Sequence, residues 1–225
     1  MTTKPERSAL VAGATGLIGR ALLPLLHASP HYARMHVLVR RAAPGIAGDA
    51  RTQVHVVDFE RLPEPLPAVD DVYIALGTTI KVAGSEANFR SVDFDAVVNT
   101  ARAAQAAGAT RLAVVSALGA DARSRVFYNR VKGEMQDAVK ALGYRSVVIA
   151  QPSLLLGDRA ALGQPVRSGE VFAARVFGPV MWMLPRGVRP IAANTVAAAM
   201  ITALLADTPG VRMLSSGQMQ AAAAR

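Results

Sequence analysis

The sequence predicts an α/β protein built on a doubly wound, mostly parallel sheet. Short apolar runs rich in Val, Ile and Leu recur along the chain, and they alternate with segments whose apolar residues are spaced as in helices. Parallel strands need long crossover connections, so this alternation favours a sheet covered by helices on both faces. We therefore expect three layers, α/β/α, and a single domain over residues 1–225.

The expected elements follow from these patterns in chain order. Strands are predicted at Ser8–Ala12, Met35–Val39, Thr52–Val57, Asp71–Leu76, Arg111–Ser116, Ser146–Ala150 and, as a last short strand, Val211–Leu214. Helices are predicted after Gly16, over Asn88–Ala107, from Tyr128 to Leu142, and from a cap at Asn194-Thr195 to Leu204. Residues 152–190 are expected to form a small substrate-side lobe with an apolar helix within 176–185, and the Ala-rich tail is expected to be frayed.

Composition excludes several classes of function. The chain has no cysteine, and its four histidines lack metal-ligand spacing, so we expect no metal site and a reducing, cytoplasmic location. The formal charge is +9, but the arginines are scattered and no basic run occurs, which argues against nucleic acid as a partner. No apolar stretch reaches the roughly 20 residues that span a bilayer, and we expect neither a membrane span nor a signal peptide.

The first strand breaks into a turn with three glycines, Gly13, Gly16 and Gly19, just before a helical pattern. A helix start offers free N–H groups and the positive end of the helix dipole, so such a turn suits a phosphate. The expected contacts with a dinucleotide come from Gly13, Thr15, Gly16, Leu17, Ile18 and Gly19. The alternative is an ordinary turn whose glycines serve packing alone.

Two arginines, Arg40 and Arg41, follow the second strand at the place where NAD-binding proteins carry an acid for the ribose. Arginine accommodates the 2′-phosphate of NADP, so we expect NADP(H) in preference to NAD(H); a solvated strand end is the alternative. Asp58 and Phe59 follow the third strand on the same rim. Asp58 is expected either to bind the adenine amine or to cap a turn.

The fourth strand runs into Leu76, Gly77 and Thr78. Glycine permits close approach of a ligand, and a threonine hydroxyl can bond a phosphate or a ribose. We therefore expect these residues to contact the cofactor.

A candidate catalytic set lies in the second half of the chain. Ser116 closes the fifth strand, and Tyr128 and Lys132 are four residues apart on one face of the following helix. An ammonium group stabilises a phenolate, which makes tyrosine useful in proton transfer near neutral pH. This arrangement suits hydride transfer, with Tyr128 exchanging the proton of a substrate oxygen and Ser116 bonding that oxygen. Lys132 is expected to stabilise the Tyr128 phenolate and to hold the nicotinamide ribose of the cofactor. The alternative is that Tyr128 packs and Lys132 is solvated.

The chain resembles the short-chain dehydrogenase/reductase superfamily, and within it the small atypical members with an extended-type glycine loop, including bacterial relatives of the Tat-interacting oxidoreductase and nucleoside-diphosphate-sugar epimerase-like proteins. The motifs that carry the resemblance are Gly13-Ala-Thr-Gly-Leu-Ile-Gly19, Leu76-Gly-Thr-Thr79, Val114-Val-Ser-Ala117, Tyr128-Asn-Arg-Val-Lys-Gly-Glu134 and Gln151-Pro-Ser-Leu-Leu-Leu-Gly157. The resemblance implies a Rossmann-type fold, bound NADP(H), a Ser116–Tyr128–Lys132 site, a cofactor contact at Pro152, and pairing of helices in a homodimer.

Two departures from the family pattern affect the site. Ala117 stands where relatives often have a second serine, and Gln151 stands where they often have an arginine beside the cofactor. The leading hypothesis is an NADP(H)-dependent oxidoreductase acting on a small carbonyl or alcohol substrate. The alternatives are a regulatory protein that binds NADP(H) without turnover, and epimerase- or dehydratase-like chemistry, for which the lobe at 152–190 is small.

Overall fold

A seven-stranded parallel sheet forms the centre of the structure, a computed structural model that describes residues 7–156 and 187–223. Its strands are β1 (Arg7–Ala12), β2 (Tyr32–Val39), β3 (Thr52–Val56), β4 (Asp71–Ile74), β5 (Arg111–Val115), β6 (Ser146–Gln151) and β9 (Gly210–Ser215). Two short strands, β7 (Leu155–Leu156) and β8 (Ile191–Ala192), form a separate pair. The order in the sheet is β3-β2-β1-β4-β5-β6-β9, so the chain reverses its direction of travel between β1 and β4. The doubly wound fold predicted from the sequence is confirmed.

The described helices are α1 (Leu17–Ala28), α2 (Ile80–Ala83), α3 (Glu86–Arg90), α4 (Ala96–Ala106), α5 (Phe127–Ala141), α6 (Ala193–Leu205) and α7 (Ser216–Ala223), with a π-helical turn at Ser91–Asp95. None of them is long and apolar enough to cross a membrane. The short strands β7 and β8 pair in parallel on either side of residues 157–186. The expected apolar helix within 176–185, and most of the lobe expected at 152–190, lie outside the described residues.

The helices cover both faces of the sheet because successive strand residues point to opposite sides. Ala9 and Val11 of β1 join one core with α1 and α6, which contribute Ile18, Leu22, Leu26, Val196, Met200 and Leu204. Leu10 and Ala12 join the other core with α4 and α5, which contribute Val97, Ala101, Ala104, Met135 and Val139. The structure therefore has three layers, with the sheet between two layers of helices. The carboxyl ends of the parallel strands lie together at one edge of the sheet.

Three local expectations were wrong. The Ala-rich tail is helical in α7 as far as Ala223 instead of frayed, because Met219 is 1% exposed and packs into the core beside α6; residues 224 and 225 lie outside the described residues. The cap predicted at Asn194-Thr195 is absent, because α6 begins at Ala193. The helix predicted from Asn88 begins at Glu86, where the Ser85 hydroxyl accepts a hydrogen bond from Asn88 N, and it passes through the π turn.

A buried polar cluster lies at the amino ends of the strands, on the edge opposite the glycine turn. Asp71, which is fully buried, pairs with Arg111 and accepts a 2.5 Å hydrogen bond from the Tyr32 hydroxyl. Burial, with the nearby Tyr73 and Asp71, raises the pKa of Tyr32 above its ordinary value. These groups satisfy one another, and they tie β2, β4 and β5 together at that edge.

Candidate active site

The glycine turn after β1 has the geometry of a ligand cradle. Gly13 has a φ of 89°, and a Cβ atom placed on it would lie 2.4 Å from the carbonyl carbon of Ala75. A Cβ on Gly19 would lie 2.1 Å from the oxygen of Gly13, so the first turn of α1 packs directly on the loop. Only glycine fits at these two positions, and the turn consequently lies against the end of β4.

Gly16 has a different role from its two neighbours in the motif. A Cβ on Gly16 would approach nothing closer than 3.4 Å, an ordinary contact. Gly16 is the N-cap of α1 and provides no side-chain cap, and no acidic residue lies in the first helical turn. The first N–H groups of α1 therefore lack an intrahelical partner, and together with the helix dipole they suit an anionic pyrophosphate.

The cradle lies where the strand order reverses, between the carboxyl ends of β1 and β4, which is the usual ligand position in open α/β sheets. Leu17 and Ile18 follow the cap, and Ile18 packs in the core, so α1 is held firmly against the sheet. Thr15 is exposed at the tip of the turn. These residues fit a bound dinucleotide.

The ends of β2 and β3 carry the residues predicted to select the cofactor. Arg40 and Arg41 are exposed directly beyond β2. Asp58, beyond β3, accepts a 2.9 Å hydrogen bond from Glu60 N through Oδ1, so its carboxylate caps a turn. Phe59 packs against the core, which fixes the loop after Asp58. The structure thus brings these four residues to the same edge as the glycine turn.

The loop after β4 lies between the glycine turn and α5. Leu76 packs against the core and Gly77 is exposed. Thr78 N donates a 2.8 Å hydrogen bond to Asp93 Oδ2. A Cβ on Gly77 would lie 3.2 Å from Asp93 Oδ1 and 3.7 Å from Lys132 Nζ, so the loop backbone lies close to both charges.

Lys132 is buried in an ion pair with Asp93, a residue that the sequence analysis did not select. Lys132 Nζ lies 2.8 Å from Asp93 Oδ1, and the side chains are 4% and 1% exposed. Burying one charge alone is costly, so each requires the other. A solvated Lys132, the alternative considered from sequence, is wrong.

Asp93 belongs to the π turn at Ser91–Asp95. Such turns are rare and frequently occur at functional sites. One sequence signal was available: Phe89, Asp93 and Val97 follow one another at intervals of four, so an acid occupies the stripe that buries Phe89 and Val97. An acid on a buried stripe indicates a specific partner.

Tyr128 lies in the first turn of α5 and is half-buried. Its ring packs against the ring of Phe89 from α3, with centroids 5.4 Å apart. Within the described parts of the chain, no group forms a hydrogen bond with the Tyr128 hydroxyl. The ring is thus held by packing, while the hydroxyl remains available to a ligand.

Ser116 lies directly after β5, and its backbone N–H donates a 2.7 Å hydrogen bond to Ala150 O. Its hydroxyl oxygen accepts a 2.6 Å hydrogen bond from Gln136 Nε2. Gln136 was also missed from sequence, although it lies four residues beyond Lys132 and eight beyond Tyr128 on the same helix face. Pro152 is buried after β6, and its carbonyl accepts a 3.0 Å hydrogen bond from Leu118 N.

The loop between β5 and α5 is fitted closely to the helix. A Cβ on Gly133 would lie 2.0 Å from Ala122 N, and Asp121 N donates a 3.1 Å hydrogen bond to Asn129 O. This contact determines the distance between the end of β5 and α5. It therefore places Ser116 beside the helix that carries Tyr128 and Lys132.

Comparison with known proteins agrees with this geometry. Residues 13–155 match the family described as NAD(P)H-binding. The chain is 34% identical over 222 residues to Protein HTATIP2 of Rattus norvegicus, covering 96% of this chain and 85% of that protein. It is 38% identical over 153 residues to Protein FMP52, mitochondrial, of Eremothecium gossypii, covering 68% of each. The solved structure of MoeE5 in complex with UDP-glucose and NAD has a TM-score of 0.68 at 17% identity, covering 92% of this chain and 76% of that chain, which shows a shared fold.

The comparison corrects the expected location. Several fungal relatives carry the word mitochondrial in their names, which contradicts the cytoplasmic location expected from composition. The absence of cysteine is compatible with more than one reducing compartment, so composition does not distinguish between these compartments. The glycine cradle, the parallel sheet and the sequence matches lead to one conclusion: the chain belongs to the NAD(P)H-binding family and has a Rossmann-type fold.

Proposed function

We propose that the protein is an NADP(H)-dependent oxidoreductase that interconverts a small carbonyl compound and its alcohol through Ser116, Tyr128 and Lys132. The observation that carries the proposal is the position of Lys132. We call the space between the Gly77–Thr78 loop and α5 the cleft, with the cofactor on the side of the loop. The Lys132 ammonium group lies beside this loop and also on the helix face of Tyr128. One side chain therefore serves both the cofactor and the proton donor.

The roles of the residues follow from their chemistry. When bound, the nicotinamide cofactor supplies the hydride for carbonyl reduction. Tyr128 donates its phenolic proton to the carbonyl oxygen, and Ser116 donates a hydrogen bond to the same oxygen. Lys132 has further ammonium protons besides the one facing Asp93, and it directs them to the ribose and to Tyr128. The nearby cation stabilises the phenolate that remains after proton transfer.

The preference for NADP(H) is supported by Arg40 and Arg41. Both are exposed directly after β2, where a ribose 2′-phosphate would lie, and guanidinium groups bind phosphate oxygens in a bidentate manner. In the glycine turn, Gly13, Thr15, Gly16, Leu17, Ile18 and Gly19 would hold the pyrophosphate. Asp58 and Phe59 would bind the adenine, Leu76, Gly77 and Thr78 the ribose, and Pro152 the nicotinamide.

The test is turnover by the purified protein, measured as NADPH oxidation across a panel of small aldehydes and ketones. Tyr128→Phe is expected to lower kcat by about 10²–10⁴-fold, because the proton donor is lost, while the Kd for NADPH stays within about twofold. Tyr144→Phe is the matched control, since the Tyr144 hydroxyl, beyond the C-terminal end of α5, donates a 2.6 Å hydrogen bond to Ala101 O. Full activity in Tyr128→Phe would contradict the mechanism.

A second function, NADP(H) binding without turnover, is favoured by one observation. Asp93 neutralises part of the Lys132 charge, which weakens the help that Lys132 gives to a phenolate. The same experiment separates the two functions. Tight NADPH binding with no oxidation by any carbonyl would favour the regulatory function, and steady oxidation would exclude it.

A further inference from the structure

The contact between Gln136 and Ser116 is the only hydrogen bond that the Ser116 side chain forms within residues 7–156 and 187–223. Gln136 Nε2 lies 2.6 Å from Ser116 Oγ, and the amide donates. Each of the two residues is 4% exposed. Solvent therefore competes little for the bond between them, which persists in the folded protein.

The direction of this bond determines what Ser116 can still do. A serine hydroxyl has one hydrogen to donate and two lone pairs to accept with. The amide of Gln136 occupies one lone pair, and no acceptor for the Ser116 hydroxyl hydrogen occurs in the described part of the chain. The backbone of Ser116 is fixed by its bond to Ala150 O. The hydrogen is thus left for an oxygen atom that enters the cleft.

Gln136 is placed for this task by the helix. Tyr128, Lys132 and Gln136 are spaced by four along α5, so they form one row on the face toward the cleft. The neighbouring polar residues make other contacts: Glu134 pairs with Arg90, and Asp137 pairs with Lys140. Gln136 is thereby the member of the row that reaches the end of β5.

Building on the proposed oxidoreductase function, we infer that Gln136 is a positioning residue that orients the Ser116 hydroxyl toward the substrate oxygen. Donation to the serine oxygen polarises its O–H bond, because hydrogen bonds in a chain strengthen one another. Without the amide, the hydroxyl is free to rotate about its C–O bond and loses this directed donation. Gln136 therefore acts through Ser116 and does not itself touch the substrate.

The experiment is a double-mutant cycle on kcat with Gln136→Met, Ser116→Ala and the double variant, each assayed with NADPH and one small carbonyl substrate. Methionine keeps the length of glutamine and removes the donor. We expect Gln136→Met to lower kcat about tenfold, the loss of roughly one hydrogen bond, with the Kd for NADPH unchanged. In the Ser116→Ala background the same change is expected to have no further effect on kcat. Multiplying effects of the two changes would show an independent, structural role and would overturn the inference.

Two further variants keep the result interpretable. Gln105→Met removes a comparable amide donor, which bonds Leu142 O away from the cleft, and it should keep the wild-type kcat. Gln136→Asn retains an amide but withdraws it by one methylene, and it replaces Gln136→Met in the cycle if that variant does not fold. A wild-type protein without turnover would overturn the proposed function, and the inference with it. A wild-type kcat in Gln136→Met, beside a loss in Ser116→Ala, would overturn the inference alone.

Discussion

Lys132 Nζ and Asp93 Oδ1 lie 2.8 Å apart in the interior, between α5 and the π turn. Asp93 also accepts the N–H of Thr78, so one carboxylate holds the lysine and the loop after β4 together. The pair thus links that loop to the helix that carries Tyr128. Its stability is a first point to test.

We expect Asp93→Asn to lower the free energy of unfolding by about 3 kcal/mol, because it leaves the Lys132 ammonium buried without its counter-charge. Lys132→Met should cost a similar amount, and the double variant should cost less than the sum of the two. Urea denaturation measures all three. Asp137→Asn, which breaks the exposed pair with Lys140, should change stability by less than about 1 kcal/mol. A wild-type unfolding curve for Asp93→Asn would show that the pair contributes nothing.

The proposed cofactor preference predicts a selective loss of affinity. Replacing Arg40 and Arg41 together by alanine should raise the Kd for NADPH about tenfold or more, since charge-assisted bonds to the 2′-phosphate are lost. The Kd for NADH should change by less than about threefold. Fluorescence titration with each cofactor measures both constants, and Arg34→Ala, an exposed arginine within β2, is the control. Equal losses for the two cofactors would argue against a 2′-phosphate contact.

Gly133→Ala should be destabilising although it adds a single methyl group. The new Cβ would lie 2.0 Å from Ala122 N, and backbone on both sides must move. We expect a loss of about 1–3 kcal/mol in unfolding free energy, with a lower kcat because the β5–α5 loop is displaced from Ser116. Gly187→Ala is the control, since none of the described residues lies within 4 Å of a Cβ placed there. Thermal unfolding and kcat are measured for both variants. If Gly133→Ala behaved like the control, the β5–α5 loop would accommodate the added methyl group and the prediction would be wrong.

A pH dependence of stability is expected at the edge of the sheet formed by β2 and β3. His36 Nδ1 lies 3.0 Å from His55 Nε2, and burial, with the charges of His55 and Arg34, lowers the pKa of His36 from its ordinary value of 6.5. Below pH 6.5 the unfolded chain binds a proton at His36 more readily than the folded protein. The contribution of His36 to stability is therefore present above pH 6.5, and it is lost as the pH falls through the pKa that His36 has in the folded protein. His36→Gln should flatten the fall of Tm with acidification; an unchanged slope would assign the fall to other groups.

The sequence by itself determined the doubly wound, mostly parallel sheet and the glycine cradle. These follow from local information: apolar runs of strand length, helical spacing between them, and the three glycines at Gly13, Gly16 and Gly19. The row of Tyr128, Lys132 and Gln136 is equally local, since it depends on helix periodicity alone. The NAD(P)-binding, Rossmann-type family that the sequence motifs indicated is confirmed by the family match.

The tertiary structure decided which polar groups meet. Asp93 and Lys132 are 39 residues apart in the sequence, and Ser116 and Gln136 are 20 apart, so no local pattern pairs them. Their partnership depends on how α4 and α5 pack on one face of the sheet, which the distribution of apolar residues fixes only for the core as a whole. On the other face of the sheet, Met219 packs into the core beside α6 and holds α7 in place. The sequence sets which polar side chains are present. Whether a charge is buried or a hydroxyl is oriented depends on contacts that form only when elements distant in the sequence pack together.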